Sequence, residues 1–146
     1  MWPLPTLGPA RTDRSPDPGE HVLNPRLVAA WLAIDLALIV AFAATGRSTH
    51  ESGLAIAGIL STAGPFLASC LLTWGVTRAW RSPAALWPTG ILVWLGTALG
   101  GLALRALLGG GMAVSFQLVA IGVLGLLLLL PRAAAAVFMR RPAASG

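Results

Sequence analysis

Four long apolar stretches, separated by short polar or glycine-rich segments, dominate the chain from residue 27 onward. A helix needs about 20 mostly apolar residues to cross the roughly 30 Å hydrocarbon core of a bilayer. Each stretch is long enough to form such a helix. The pattern therefore predicts four transmembrane helices, at about 27–45, 53–77, 85–108 and 112–130.

The residues between these stretches are of the kinds that end or bend helices. The segment 46–52 is polar, 78–83 carries two arginines and a proline, and 109–111 is a run of three glycines. Pro131 follows five consecutive leucines, so the fourth helix is expected to end there. Pro65 lies inside the second helix, where membrane neighbours can satisfy the carbonyl that it frees, so a kink is expected.

Two tails flank the apolar region. Residues 1–26 contain six prolines and three arginines without an apolar run, which predicts a disordered cytoplasmic tail. No apolar segment of signal-peptide type precedes Leu27, so the first helix is expected to direct insertion itself. Residues 131–146 are expected to form a second cytoplasmic tail, either as a short interfacial helix or as a frayed end.

Composition supports lipid as the solvent of this chain. Hydrophobic residues make up 56% and charged residues 10% of the sequence, whereas soluble domains are about 25% charged. The fold class is therefore all-α, an integral membrane four-helix bundle whose main partner is the lipid bilayer. The net charge of +5 comes from scattered arginines rather than a basic stripe, so no nucleic-acid partner is predicted.

The arginines also predict an orientation, because short cytoplasmic loops are rich in Lys and Arg. With four spans, eight of the ten arginines fall on the side of the two tails and the second connection. Both termini are therefore expected in the cytoplasm and the chain in the cell inner (plasma) membrane. Tryptophans favour membrane interfaces, and four of the six lie near that same side: Trp31, Trp74, Trp80 and Trp87.

Small residues at four-residue spacing predict how the helices pack, since membrane helices associate through close contacts and interhelical hydrogen bonds. Such ribbons occur on the first helix (Ala33, Ala37, Ala41), the second (Gly53, Ala57, Ser61, Pro65, Ser69, Thr73, Thr77) and the third (Gly96, Gly100). The alternative is that Ser61, Ser69 and Thr73 line a path for a solute.

Asp35 is the most informative polar residue, because an acid within a membrane helix is costly and needs a partner. Counting from Gly46 places it roughly 16 Å from the end of its helix, near the membrane centre. Arg105 is one candidate partner, directly or through water or Thr97. In the other reading Arg105 extends to the headgroups and Asp35 bonds to a serine or threonine.

Arg47 and His50, with Glu51, lie in the first connection, on the same side as Arg105. Asp35, Arg47, His50 and Arg105 together form a candidate functional polar cluster. The sequence predicts no catalytic residues, no cofactor-binding residues and no metal ligands. No His/Cys/Asp spacing resembles a zinc site, and no base is placed to activate a serine.

An ordered set of short motifs carries a family resemblance: Asp35, Gly46-Arg47 with His50, Pro65-Phe66, ALWPTG at 85–90, VWLGT at 93–97, Arg105 and Ser115-Phe116. The chain resembles a family of small prokaryotic, largely actinobacterial, membrane proteins known as domain of unknown function 3054. The similarity spans about Trp31 to Arg132. Gly64 and Pro131 depart from it, at positions where tryptophan is expected. The resemblance implies a four-helix fold and groups the four polar residues, and it implies no activity.

Three functions are compatible with these features. The leading hypothesis is a non-enzymatic accessory or structural membrane protein, partnered by a second copy or another membrane protein. The first alternative is a small proton- or cation-coupled transporter or channel using Asp35 and Arg105. The second is an outer-face enzyme that modifies lipids through Arg47, His50, Glu51 and Arg105, although it lacks a nucleophile.

Overall fold

The computed structural model of the chain describes residues 24–48, 56–111 and 113–140, and this part of the chain is helical with no strand. Its four long helices are α1 (Pro25–Ser48), α2 (Ile56–Thr77), α3 (Ile91–Leu107) and α4 (Val114–Arg140). Four segments are long and apolar enough to cross a membrane, and the third begins at Leu86, before α3. The described fold is thus the predicted four-helix architecture.

The fourth helix differs from its prediction. It contains Pro131 and continues to Arg140, so the predicted end at residue 130 is corrected. Proline removes one backbone donor, which here would have bonded the Leu127 carbonyl, and membrane helices tolerate such a loss. The four alanines at 133–136 are strong helix formers and favour continuation. The segment predicted as the start of a tail is therefore part of α4.

The connection between α2 and α3 is fully described, and that between α3 and α4 is described apart from residue 112. A short 3₁₀ turn (Ala79–Arg81) and an irregular turn (Leu86–Gly90) link α2 to α3, and the hydroxyls of Ser82 and Thr89 lie 2.8 Å apart across this link. The link between α3 and α4 begins at Gly109, whose φ of 76° is a conformation that glycine adopts easily. We call these two ends of the bundle the α2–α3 end and the α3–α4 end.

The tightest pairing joins α2 and α3 and confirms the predicted roles of Gly96 and Gly100. A Cβ atom at Gly96 would overlap the side chain of Thr73, and one at Gly100 would overlap that of Ser69. The Ser69 hydroxyl donates a 2.7 Å hydrogen bond to the Gly96 carbonyl. The Thr73 hydroxyl donates to the Ser69 carbonyl. These hydroxyls therefore serve helix packing rather than facing an open path.

The first helix packs differently from its prediction. Ala33, Ala37 and Ala41 are exposed, and the buried face of α1 instead carries larger residues: Trp31, Asp35, Ile39, Phe42 and Ala43. On α2, Ala57 and Ser61 are also exposed. The small-residue ribbon of α1 is therefore not an inner contact, because large side chains fill the space between α1 and its neighbours.

Aromatic rings join three helices in the half of the bundle toward the α3–α4 end. The ring centroids of Phe42 and Phe66 are 5.7 Å apart in an edge-to-face arrangement, and Phe116 lies 6.5 Å from each. Between α3 and α4, the Trp94 indole donates a hydrogen bond to the Ile121 carbonyl. The four helices thus share one core, and the polar site lies nearer the α2–α3 end.

Candidate functional site

The site is built around Asp35, which lies on the buried face of α1 with none of its surface exposed. Burying a carboxylate without partners costs several kcal/mol, so its surroundings decide whether the helix can tolerate it. The Asp35 carboxylate accepts three hydrogen bonds, two from a guanidinium and one from an indole. The predicted need for a partner is met.

The partner is Arg132 of α4. Its Nη1 donates to Asp35 Oδ1 at 2.8 Å and its Nη2 donates to Asp35 Oδ2 at 2.7 Å. Both residues are completely buried. This two-point geometry is the strongest form of a carboxylate–arginine pair, because both charged oxygens face donors in the plane of the guanidinium. The pair ties the first helix directly to the last.

Arg132 also donates two hydrogen bonds to backbone carbonyls. Nε donates to the Pro83 carbonyl at 3.1 Å, and Nη1 donates a second bond to the Leu128 carbonyl at 2.9 Å. Four of the five guanidinium N–H groups therefore have acceptors. The Pro83 contact also attaches the α2–α3 link to the pair, so three parts of the chain converge on one cation.

Aromatic side chains and a glycine complete the enclosure. The Trp74 indole of α2 donates to Asp35 Oδ2 at 2.9 Å, and the Arg132 guanidinium lies 5.2 Å from the centroid of the Trp31 ring. At Gly90 an added Cβ would come within 2.8 Å of Arg132 Cδ. Glycine at this position lets the arginine stem pass between α4 and the α2–α3 link.

Arg105 is not the partner of Asp35. Its guanidinium lies 4.7 Å from the Phe116 ring centroid, and its Nε approaches the Gly111 carbonyl at 3.4 Å, at the α3–α4 end. The second reading, in which Asp35 bonds to a serine or threonine, is also not observed. The proline at 131 predicts that Arg132 lies in a tail, but α4 continues through Pro131 and places Arg132 inside the bundle.

The other two members of the predicted polar cluster are not placed at this site. Arg47 belongs to α1 by its backbone, but its side chain is outside the described part, and His50 lies outside the described residues. Asp35 lies closer to the α2–α3 end than its position in α1 predicts. Its partner Arg132 contacts Pro83 of the α2–α3 link, and its other donor, Trp74, lies about one helical turn before α2 ends.

Two tryptophans predicted for a membrane interface serve this site instead. Trp31 and Trp74 are only 8% and 4% exposed, whereas Trp80 and Trp87 are 37% and 76% exposed. The interfacial preference used for the prediction does not distinguish a ring at the lipid surface from one that closes a buried ion pair. The sequence signal for this role is that Trp31 and Trp74 are expected at a similar depth in the helix bundle to Asp35.

The chemistry available to the site follows from how its donors and acceptors are used. Oδ1 of Asp35 accepts a hydrogen bond from Arg132, and Oδ2 accepts one from Arg132 and one from Trp74, so both carboxylate oxygens are already engaged. The arrangement is suited to holding helices together and poorly suited to cycling between states.

Comparison with known proteins gives one match. A family model described as "Protein of unknown function (DUF3054)" matches residues 32–135, a segment that includes both Asp35 and Arg132. No curated protein and no solved structure matches the chain.

Proposed function

The chain belongs to the DUF3054 family, and we propose that it is a multi-pass membrane protein with a structural or accessory role rather than a catalytic one. The observation that carries this proposal is the fully buried, two-point ion pair between Asp35 and Arg132. It links the first and last helices inside an apolar bundle. Because this ion pair holds α1 against α4, the four helices form a rigid unit in the membrane to which another protein can bind.

The proposed location is the cell inner (plasma) membrane of a bacterium, with both termini in the cytoplasm. Arg132 no longer counts as a loop charge, because it is buried in the bundle. The bias survives this loss. Seven of the ten arginines still belong to the tails and the α2–α3 link, against Arg47 and Arg105 at the other end.

The contacts of Asp35 and Arg105 do not favour the transporter alternative. It assigned proton or cation binding to Asp35 and gating to Arg105, yet the described contacts of these side chains involve different partners at different ends. The enzyme alternative depends on Arg47, His50 and Glu51, whose side chains lie outside the described part, so no observed geometry favours it.

A flux experiment separates a structural role from transport. Purified wild type and Asp35→Asn are reconstituted into vesicles, and proton and monovalent-cation flux is compared with that of empty vesicles. We expect no flux above empty vesicles for either protein, together with lower thermal stability for Asp35→Asn. Flux in the wild type that Asp35→Asn abolishes, at equal protein insertion, would establish the transporter and refute the proposal.

A further inference from the structure

A second polar feature lies at the opposite end of the bundle from the ion pair. An open groove of about 900 Å³ runs between α2 and α3 near the α3–α4 link. Its volume is within the roughly 300–1,000 Å³ typical of small-molecule sites. Most of its lining is apolar, and its cation is Arg105; other lining residues include Leu60, Gly64, Ala68, Leu104 and Leu108.

The stem of Arg105 is held in place at the mouth of this groove. Its guanidinium packs on the Phe116 ring, and an added Cβ at Gly110 would contact its side chain. Its one hydrogen bond to a described residue is the 3.4 Å contact from Nε to the Gly111 carbonyl. The terminal Nη1 and Nη2 groups make no hydrogen bond or ion pair with any described residue. Within the described part of the chain they are therefore free to bind a ligand near the end of α3.

The charge of Arg105 is not balanced within the described part of the chain. Asp35 is the acidic residue of that part, and its carboxylate is already bound by Arg132. A cation beside apolar walls needs an anion, and in a membrane the phosphate of a lipid is the abundant one. Arginine binds phosphate oxygens through two parallel N–H groups, as it binds carboxylates.

The groove walls have the chemistry of a site for a lipid tail. Leu60, Leu107 and Leu108 are 54%, 82% and 76% exposed beside the groove. At Gly64 an added Cβ would meet nothing within 4 Å, so the groove is open at this residue. A largely apolar groove that ends at a guanidinium whose terminal N–H groups have no partner among the described residues is complementary to an amphiphile with an anionic head.

We propose that this groove binds an anionic lipid, with its phosphate on Nη1 and Nη2 of Arg105 and an acyl chain along the α2–α3 surface. The proposal rests on membrane insertion, as set out under the proposed function. It does not rest on the ion pair between Asp35 and Arg132, which lies nearer the α2–α3 end. The lipid would act as a structural ligand that completes the α3–α4 end.

The test uses the full chain, stripped of lipid in a neutral detergent, and measures lipid retained per protein by native mass spectrometry. Phosphatidylglycerol and phosphatidylcholine with identical acyl chains are titrated separately. We expect the wild type to retain phosphatidylglycerol at least about tenfold more tightly, the effect expected for one charge-assisted contact. Arg105→Gln should remove this preference, because it weakens the binding of phosphatidylglycerol far more than that of phosphatidylcholine, whose phosphate charge is offset by its own choline cation.

Three further variants complete the design. Gly64→Phe fills the groove without touching the charge and should weaken the binding of both lipids, so it also carries the test if Arg105→Gln does not fold. Arg81→Gln removes an exposed arginine at the other end and should leave the preference intact. Glu51→Gln removes the acid of the first connection and should leave lipid binding as in the wild type.

Several results would overturn the proposal. Equal retention of the two lipids by the wild type, or equal losses in Arg81→Gln and Arg105→Gln, would remove the role of Arg105. Binding that appears only after Glu51→Gln would make that acid the partner of the guanidinium. Full competition by inorganic phosphate at the lipid concentration would identify a free anion as the ligand. A chain that stays dispersed in buffer without detergent would instead contradict membrane insertion itself.

Discussion

Removing one member of the buried ion pair should destabilise the bundle far more than removing both. Arg132→Met takes two of three hydrogen bonds from the Asp35 carboxylate and leaves it buried beside Trp74. Asp35→Leu leaves the guanidinium without its counter-charge. Breaking a buried pair in this way lowers the free energy of unfolding by about 3–5 kcal/mol.

The double variant Asp35→Leu/Arg132→Met should lose much less than the two single losses added together. Apolar residues can replace a buried ion pair with little net change, and what remains is the Trp74 indole and the Pro83 carbonyl without their partners. Each of these two losses also occurs in one of the single variants and cancels in the cycle, so the coupling energy is expected to be at least about 3 kcal/mol. Such a value identifies direct contact.

The assay is the free energy of unfolding in bicelles, followed by circular dichroism during denaturant titration. The control cycle combines Asp35→Leu with Arg105→Met. Because Arg105 contacts Phe116 and not Asp35, the two losses should add within about 0.5 kcal/mol. Additive losses for Asp35 and Arg132, or strong coupling between Asp35 and Arg105, would refute the reasoning.

Three further substitutions test the surroundings by thermal or denaturant unfolding. Trp74→Phe keeps the ring but removes the indole donor to the carboxylate, and should lower stability by about 1.5–3 kcal/mol; an unchanged stability would show that this bond is absent in solution. Gly101→Ala forces a Cβ against the Phe66 ring and should cost about 1–3 kcal/mol, whereas Gly75→Ala meets nothing within 4 Å and should cost nothing; equal effects would contradict the α2–α3 packing. Thr97→Val removes a buried hydroxyl that has no oxygen or nitrogen partner among the described residues and only the weakly polar Cys70 thiol beside it, so the change should raise stability by about 1 kcal/mol, while a loss would mean that the hydroxyl is bonded.

The parts of the fold that follow from length and hydropathy are readable in the sequence. The four apolar stretches needed no knowledge of tertiary contacts, because bilayer thickness alone sets how long a spanning helix must be. The pairing of Gly96 and Gly100 with small residues of α2 was also readable. Glycines four residues apart on a membrane helix leave space that a neighbouring helix can occupy.

The partner of Asp35 was missed for two physical reasons. Proline after a leucine run suggested a helix end at Pro131, although the same tolerance that applied to Pro65 inside a membrane helix applies there as well. The rule that assigns arginines to cytoplasmic loops then placed Arg132 in a tail. A usable signal was present: the four alanines at 133–136 favour a helix that continues past the proline, which makes Arg132 a residue of a span.

The packing of α1 could not be obtained from spacing alone. Ala33, Ala37 and Ala41 have the spacing of an interface, but the opposite face of α1 carries Trp31 and Asp35, which have far more to gain from burial. Which face turns inward depends on the partner of the acid, and that partner lies 97 residues away in the chain. Local periodicity carries no information about such a contact.

The most direct test of the account is a distance measurement between Asp35 and Arg132 in lipid bilayers. Solid-state NMR with ¹³C-labelled aspartate and ¹⁵N-labelled arginine reports carboxyl–guanidinium proximity through dipolar dephasing. With Nη–Oδ distances of 2.7 and 2.8 Å, the ion pair should give a strong signal that disappears in Asp35→Asn and in Arg132→Lys but persists in Arg105→Lys. A signal that survives Arg132→Lys and disappears in Arg105→Lys would contradict this pairing.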